Sequence, residues 1–262
     1  MDLELKGKVA IVTGGSRGIG KAIARQLVKE GAQVALVARD RVTLDATVSE
    51  IGVQAKAFVA DTGEDAAIKA MVAGVIEAFG RIDVLVNCAA KPRGESKPPG
   101  LAEITNQGFW EDMNVKVMGY LRTAREVAPH MIKQHAGRII NISGLGARSA
   151  GNILGLIRNV SVAALTKTLA EELGRHGISA VCVHPAETRT EKTPGVFELQ
   201  AKAKGVSVAE IEKDMDSRNL IGKMITAEQI AHVVAFLASP KSIALNGDSV
   251  AAGGGLPGVI HY

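Results

Sequence analysis

The chain has 262 residues, a length that suits one large α/β domain or two small ones. Hydrophobic residues make up 47% and charged residues 22%, which is typical of a globular protein and excludes a disordered chain. Aromatic residues account for only 3%, and the net charge of +4 is not concentrated in any block of Lys or Arg, so we expect no nucleic-acid partner.

The two cysteines, Cys88 and Cys182, are too few for a disulfide framework and indicate buried thiols in a reducing compartment. The first residues lack the positively charged and apolar segments of a secretory signal. No run approaches about 18 consecutive apolar residues, so no membrane span is predicted. We therefore expect a cytoplasmic protein, and we predict no metal site.

Short apolar runs alternate along the chain with longer stretches of helical periodicity. In chain order, the pattern predicts a strand at 9–12, a helix at about 17–30, and strands at 34–38 and 57–60 that are each followed by a helical stretch. It then predicts a strand at 83–87, a helix at about 109–134, a strand at 138–142, a helix at about 152–176, a strand at 179–183 and a last helix at about 227–238.

The strands are continuous runs of Val, Ile, Leu and Ala, which is the pattern of sheets buried on both faces. Alternation of strands with helices requires parallel pairing through right-handed crossovers. The sequence therefore predicts one doubly wound, Rossmann-like α/β domain over residues 1–262, with about seven strands. Residues 91–100 are predicted to form an exposed loop, and 188–223 form either a substrate lid or a packing decoration.

The strongest local feature is the segment Thr13-Gly14-Gly15-Ser16-Arg17-Gly18-Ile19-Gly20, which lies between the first strand and the first helix. Glycines permit a tight turn and a close approach of the backbone to a ligand. The free N–H groups and the positive dipole end of the helix favour a pyrophosphate. Glycine also serves turns in general, but the position of this segment inside a β-α-β unit makes a dinucleotide site the stronger interpretation.

Further segments carry a family resemblance. Asp61 follows the third strand, residues 80–87 read Gly-Arg-Ile-Asp-Val-Leu-Val-Asn, Asn114 lies in a long helix, Ser143 ends the fifth strand, and Pro185 precedes Thr188 and Thr190. With the spacing of the glycine turn, these residues resemble the short-chain dehydrogenase/reductase family over nearly the whole chain. The resemblance implies a nicotinamide cofactor whose contacts come from Gly14, Ser16, Arg17, Gly18, Ile19, Gly20, Arg39, Asp61, Thr62, Asn87, Ala89, Thr188 and Thr190.

The end of the second strand indicates which nicotinamide cofactor is bound. In the family, an acidic residue there binds the adenosine ribose and repels a 2′-phosphate. This chain has Ala38 followed by Arg39, and Arg17 lies in the glycine turn, so two guanidinium groups are offered to a phosphate. We therefore expect NADP(H) rather than NAD(H). The alternative is that both arginines are solvated surface residues, with Asp40 neutralising one of them.

The catalytic tyrosine and lysine of the family are missing. The lysine lowers the pKa of the tyrosine, which gives its proton to the substrate. Counting from the serine places these positions at Leu156 and Val160, and the helix motif at 165–170 places them at Gly155 and Asn159. No tyrosine occurs between residues 143 and 179. Loss of the ring is expected to open space beside the nicotinamide.

Nearby residues are candidates for the lost functions. Ser143 is expected to hold the substrate oxygen, Asn114 to order a water or a backbone kink, and Asn159 to bond ribose hydroxyls. Arg158 lies on the same helix face and offers a positive charge, although a solvent-facing arginine is an equal interpretation.

Three other polar residues are candidate acids. Tyr120 and His184 are more consistent with packing roles. Tyr262, the last residue, is either an acid delivered by a neighbouring subunit or a disordered end.

Together these features predict an NADP(H)-dependent oxidoreductase that transfers hydride between the nicotinamide and a carbonyl or secondary alcohol, with an atypical active site. Two alternatives stay open. One is a non-redox enzyme, such as a dehydratase, isomerase or hydrolase, and the other is an NADP(H)-binding sensor without turnover. The resemblance also implies a homodimer or homotetramer that pairs the long helices at 109–134 and 152–176.

Overall fold

The computed structural model describes residues 1–91 and 98–258 and is built around one seven-stranded parallel sheet. The strands of the chain are β1 (Val9–Thr13), β2 (Gln33–Ala38), β3 (Ala55–Val59), β4 (Val84–Asn87), β5 (Gly137–Ile142), β6 (Ile178–Pro185), β7 (Thr188–Arg189), β8 (Ile225–Thr226) and β9 (Ser249–Ala252). The order in the central sheet is β3-β2-β1-β4-β5-β6-β9, and β7 pairs with β8 separately. The predicted doubly wound fold is confirmed.

The α-helices are α1 (Gly18–Lys29), α2 (Arg41–Ile51), α3 (Asp65–Phe79), α4 (Asn106–Met113), α5 (Gly119–Gln134), α6 (Ile153–Leu173), α7 (Thr193–Lys204), α8 (Val208–Asp216) and α9 (Ala227–Ala238). A five-residue π-helix, Asn114–Met118, joins α4 to α5, so the long helix predicted at 109–134 is interrupted. The sequence missed this interruption because local propensity does not encode one extra residue in a turn.

The two faces of the sheet carry separate helical layers. Along β1, Ala10 and Val12 face the layer that contains α1 and α9, while Val9 and Ile11 face the layer of α3, α5 and α6. All four side chains are buried. Burial on both faces is the physical reason that the strands are continuously apolar.

The strand order reverses between β1 and β4, and this switch point creates a crevice at the carboxyl edge of the sheet. β1 leads directly into the glycine turn and α1, while β4 leads into Cys88 and Ala89 on the other side of the crevice. The fold thereby brings together two segments that are far apart in the chain. The amide of Cys88 donates to the hydroxyl of Thr13 at 3.0 Å, across a separation of 75 positions.

The predicted lid segment contains two helices, α7 and α8, and has a small apolar cluster of its own. Phe197, Ala201, Ile211 and Met224 form this cluster. Arg189 of β7 also contacts Glu212 of α8 at 2.5 Å. The segment is therefore an ordered unit at the mouth of the crevice, and its role as a lid stays a prediction.

Helix α6 is unusually apolar. Residues 153–176 are the one stretch in the described ranges that is long and apolar enough to cross a membrane by length and composition alone, with a mean hydropathy of 1.3. Its inner face, with Val162 and Leu169, is buried in the protein, as in the core helices of many globular proteins. Most of the predicted loop at 91–100, and Tyr262, lie outside the described residues.

Candidate active site

A cleft of about 1700 Å³ lies at the switch point and extends under the α7–α8 segment. It collects most of the residues that the sequence singled out. Those that line it are Gly14, Ser16, Arg17, Ile19, Gly20, Arg39, Asp61, Thr62, Ala89, Ser143, Asn159, Thr188 and Thr190.

The glycine turn forms the floor of the cleft and is packed too closely for side chains. Gly14 has a φ of +67°, and a Cβ added there would lie 2.9 Å from the Cα of Ala89. A Cβ on Gly20 would overlap the carbonyl oxygen of Gly14. Both glycines are therefore required for α1 to start close to the residues that follow β4. The N-terminal amides of α1 consequently face the cleft.

One of these amides already binds an anion. The backbone N–H of Gly18 donates to Oε1 of Glu191, which follows β7, at 2.9 Å. A carboxylate at this position is stabilised by the positive end of the helix dipole. Sequence reasoning missed Glu191, since the two residues are 173 positions apart. The contact places a carboxylate of the chain itself at the start of α1.

Arg17, Arg39 and Thr43 line the cleft on the side of β1 and β2, the strands that they follow in the chain. Arg39 Nη1 is 3.7 Å from Oδ2 of Asp61, and both side chains are exposed, so the pair is weak. Asp40 caps α2 through the Thr43 amide at 2.7 Å. The hydroxyl and amide of Thr43, with a smaller contribution from Arg17, hold the pKa of Asp40 below its usual value.

Ser143 and Asn159 line the cleft on the side of β5, and the two residues are in contact. Ser143 Oγ donates to the carbonyl oxygen of Asn159 at 2.9 Å. A third residue, Lys116 of the π-helix, joins them: its ammonium donates to the carbonyl oxygen of Ser143 at 2.9 Å and to Oδ1 of Asn159 at 3.2 Å. Lys116 is only 5% exposed and lines the cleft. No sequence motif marked it, because only the π-helix and the neighbouring helix define its position.

Arg158 does not face solvent. It is 3% exposed, and its Nη1 is 2.6 Å from Oδ1 of Asp112 on α4. The surface interpretation of Arg158 is therefore wrong, because Asp112 supplies a buried partner that sequence spacing did not reveal. The charge that it offers to the cleft is largely offset by that carboxylate.

Two of the predicted residues have side chains outside the cleft lining. Asn87 is fully buried, donating to Oδ1 of Asn141 at 2.9 Å and accepting from Thr123 Oγ1 at 2.6 Å. Asn114 Nδ2 donates to the carbonyl oxygen of Gly63 at 3.3 Å. The side chain of Asn87 therefore joins strands and helix, and its contact with a cofactor stays a prediction. Asn114 begins the π-helix, and its role in ordering a water or a backbone kink also stays a prediction.

A family model described as enoyl-(acyl carrier protein) reductase matches residues 14–257. The chain belongs to the short-chain dehydrogenase/reductase family. It is 37% identical over 253 residues to the short-chain reductase protein NovJ of Streptomyces niveus, a match that covers 95% of this chain and 94% of that protein.

Two solved structures of short-chain reductases resemble this one. An actinorhodin polyketide ketoreductase variant with NADPH matches with a TM-score of 0.88 and 31% identity, over 96% of this chain and 98% of that chain. L-Sorbose reductase from Gluconobacter frateurii, complexed with NADPH and L-sorbose, matches with a TM-score of 0.92 and 26% identity, over 99% and 100% of the two chains. These matches extend the family assignment to the whole domain.

A small niche lies beside Gly155, the residue that the helix motif at 165–170 aligns with the family's tyrosine. A niche of about 90 Å³ is lined by Gly155, Asn159, Gly146 and Ser149 among others, next to the main cleft. The expectation that the absence of a ring opens space beside the nicotinamide stays a prediction.

The remaining candidate acids are held in packing roles. The hydroxyl of Tyr120 donates to the carbonyl oxygen of Ile142 at 2.9 Å, and burial raises its pKa well above the usual value. His184 Nδ1 is 2.9 Å from the carbonyl oxygen of Gly144. Burial raises the pKa of the Cys88 thiol to about 12, with Lys116 opposing the shift. Within the described ranges, no group of His, Cys, Asp or Glu side chains converges as metal ligands would.

Proposed function

We propose that this protein is an NADP(H)-dependent oxidoreductase that transfers hydride between the nicotinamide and a carbonyl or secondary alcohol. The observation that carries the proposal is one cleft in which a helix N-terminus binds a carboxylate and two arginines lie beside it. The NADPH complexes of two similar reductases support the phosphorylated cofactor.

The residues of the cleft fit this cofactor. Glu191 occupies the position of an anion at Gly18, where the pyrophosphate would bind once the carboxylate leaves. Arg17 and Arg39 would hold the 2′-phosphate, for which paired guanidiniums are well suited. Thr188 and Thr190 also line the cleft. They would hold the nicotinamide carboxamide, as the family resemblance implies.

When bound, the reduced nicotinamide supplies a hydride. Ser143 would hold the acceptor oxygen, which requires its hydroxyl hydrogen to turn away from the carbonyl oxygen of Asn159. Orienting two reactants contributes roughly 7–11 kcal/mol, whereas a general acid contributes about 10²–10⁴-fold in rate. A site that holds cofactor and ketone together therefore reduces the ketone slowly even with water as the proton source.

The test combines calorimetry with turnover. The purified protein is titrated with NADPH and with NADH, and NADPH oxidation is then followed with a panel of ketones against a heat-killed control. We expect tighter binding of NADPH and slow oxidation with at least one ketone. Absence of binding heat with both coenzymes, or equal or better affinity for NADH, would contradict the cofactor assignment.

The missing tyrosine and lysine favour a second candidate, an NADP(H)-binding sensor without turnover. Either alignment leaves the pair absent, with Leu156 and Val160 or with Gly155 and Asn159 at its positions. This candidate predicts tight NADPH binding, no oxidation with any ketone, and no effect of Ser143→Ala beyond stability. Product formation that is independent of added nicotinamide would point instead to a non-redox enzyme on the same scaffold.

We further propose that the protein is a homodimer or homotetramer. Ile157 and Val160 on α6 are 40% and 46% exposed, and Trp110 on α4 is 67% exposed, which gives these helices an apolar outer surface. Sedimentation should detect a dimer or tetramer that Val160→Glu weakens. A wild-type protein that sediments as a monomer at micromolar concentration would refute this assembly.

A further inference from the structure

The side-chain amide of Asn159 has a fixed orientation in the cleft. Asn159 is only 7% exposed, and it lines both the cleft and the adjoining niche. Its Oδ1 accepts a hydrogen bond from the ammonium of Lys116 at 3.2 Å. An ammonium group donates hydrogen bonds and never accepts them, so the amide atom that faces Lys116 must be the oxygen. The amide nitrogen, Nδ2, therefore lies on the other side of the amide.

Nδ2 faces the segment that follows β5. A Cβ added to Gly144 would lie 3.0 Å from Nδ2, and one added to Gly146 would lie 3.6 Å from it. Both glycines line the cleft, and a side chain at Gly144 would crowd the amide. In the part of the chain that the structure describes, no residue accepts a hydrogen bond from Nδ2. Its two N–H groups can therefore bind a molecule that enters the cleft.

The hydroxyl of Ser143 is less ready to donate than this amide. Its Oγ already gives a hydrogen bond to the backbone carbonyl oxygen of Asn159 at 2.9 Å. A serine hydroxyl carries one hydrogen, so Ser143 must break that bond before it can donate to a substrate. The amide of Asn159 can donate to a substrate without any rearrangement.

We propose that Nδ2 of Asn159 donates the hydrogen bond that stabilises negative charge on the substrate oxygen during ketone reduction. The inference rests on the proposed NADP(H) function and deepens it. When the carbonyl carbon accepts the hydride, the electron pair of the carbonyl bond moves to the oxygen. Nδ2 donates to this forming alkoxide until water protonates it, so the ketone is reduced to an alcohol while the cofactor is oxidised.

A donor aimed at the position where charge develops accelerates the reaction, because its hydrogen bond is stronger in the transition state than in the ground state. Asn159 is thus a catalytic residue in this proposal. Lys116 is a positioning residue, since it holds Oδ1 and so keeps Nδ2 directed toward Gly144 and the cleft.

The experiment separates binding from turnover. Calorimetry gives the dissociation constant of NADPH, and that of cyclohexanone from the NADP⁺ complex, a pair that cannot react. NADPH oxidation with the fastest ketone of the panel gives kcat and KM. Asn159→Leu removes the donor, and Asn159→Asp keeps the shape while it places a carboxylate beside Lys116. Asn152→Asp is the matched control, because Asn152 caps the start of the same helix and aspartate caps equally well.

Both substitutions of Asn159 should lower kcat about 10²–10³-fold, the loss typical of one oxyanion donor. In Asn159→Leu, the affinity for cyclohexanone should fall only about two- to tenfold, since a hydrogen bond to an uncharged carbonyl contributes less. Its affinity for NADPH should stay within about threefold of the wild type. Asn152→Asp should keep all these values. Lys116→Met should lower kcat at least about tenfold through misplacement of the amide, and Lys116→Arg should restore it because arginine also donates to Oδ1.

A kcat in Asn159→Asp that equals the kcat of Asn152→Asp would overturn the inference. A loss of NADPH affinity in Asn159→Leu that matches its loss of kcat would also overturn it, because Asn159 would then hold the cofactor and not the substrate oxygen. If Asn159→Leu does not fold, Asn159→Asp is judged by the same criteria. A wild type that fails to bind NADPH, or that oxidises it with no ketone, is a different result, because it refutes the proposed oxidoreductase function together with this inference.

Discussion

The contact between Glu191 and the start of α1 predicts that Glu191→Gln binds NADP(H) more tightly than the wild type. The carboxylate lies 2.9 Å from the amide of Gly18, on the helix end that a pyrophosphate would use. Cofactor binding must therefore displace Glu191. The free energy that stabilises the contact between Glu191 and Gly18 is lost on binding, which weakens the affinity for the cofactor by that amount. Glutamine keeps the size of the side chain and removes its charge.

The magnitude follows from the exposure of the contact. Glu191 is exposed, so the interaction of its charge with the helix end contributes about 0.3–1 kcal/mol. Removing that contribution should lower the dissociation constant of NADPH about two- to fivefold. The gain should shrink at high salt, where the interaction between exposed charges is screened.

The assay is calorimetric titration with NADPH at low and high salt. Glu187→Gln is the matched control, because Glu187 also lines the cleft but pairs with Arg218 at 3.6 Å rather than with α1. A general effect of lowering negative charge in the cleft would appear in both variants. The reasoning is refuted if Glu191→Gln binds NADPH no more tightly than Glu187→Gln.

Three further predictions concern the cofactor end, the buried ion pair and the thiols. Arg39→Ala should weaken NADPH binding roughly tenfold and leave the affinity for NADH unchanged, because one charge-assisted hydrogen bond at an exposed site is lost. Arg41 is a neighbouring exposed arginine that pairs with Asp45, so Arg41→Ala is the control, and an equal loss of NADPH affinity in both variants would contradict this prediction. Asp112→Asn should lower the free energy of unfolding by about 3–5 kcal/mol, since it leaves Arg158 buried without its carboxylate. In urea denaturation, the double variant Asp112→Leu/Arg158→Met should recover most of that loss. An Asp112→Asn variant as stable as the wild type would show that the pair is weak. Because the pKa of Cys88 is raised to about 12, its reactive thiolate is scarce at neutral pH, so alkylation of the native protein should stay slow at pH 8 and accelerate only toward pH 12; fast labelling of Cys88 at pH 8 would show an accessible thiolate.

The first and last helices could be predicted from the sequence to within one residue at each end, whereas the helix predicted at 109–134 is interrupted by the π-helix Asn114–Met118. The sequence predicts the first helix at about 17–30, and this helix occupies Gly18–Lys29, with Arg17 and Glu30 as its flanking residues. The sequence predicts the last helix at about 227–238, and this helix occupies that range because Thr226 and Gln229 form a capping box at its start. These features depend on residues a few positions apart, which a sequence window contains.

The glycine turn and the two arginines could also be recognised from the sequence, since their predicted role in cofactor binding depends on a local strand–turn–helix order. The roles of Asn87 and Arg158 were not. Asn87 is bonded to Asn141 across 54 positions, and Arg158 is paired with Asp112 across 46 positions. A motif names such residues but does not say whether the fold turns them toward the cleft or into the core.

The sequence by itself determined the doubly wound sheet and the glycine turn, because apolar periodicity and backbone conformation are properties of neighbouring residues. Only the tertiary structure decided which charges meet in the cleft. Lys116 reaches Ser143 and Asn159 because an extra residue in one helical turn rotates it inward, and Glu191 reaches Gly18 because the chain returns over the sheet. Electrostatic interactions act through space, so their partners are fixed by packing and not by order along the chain.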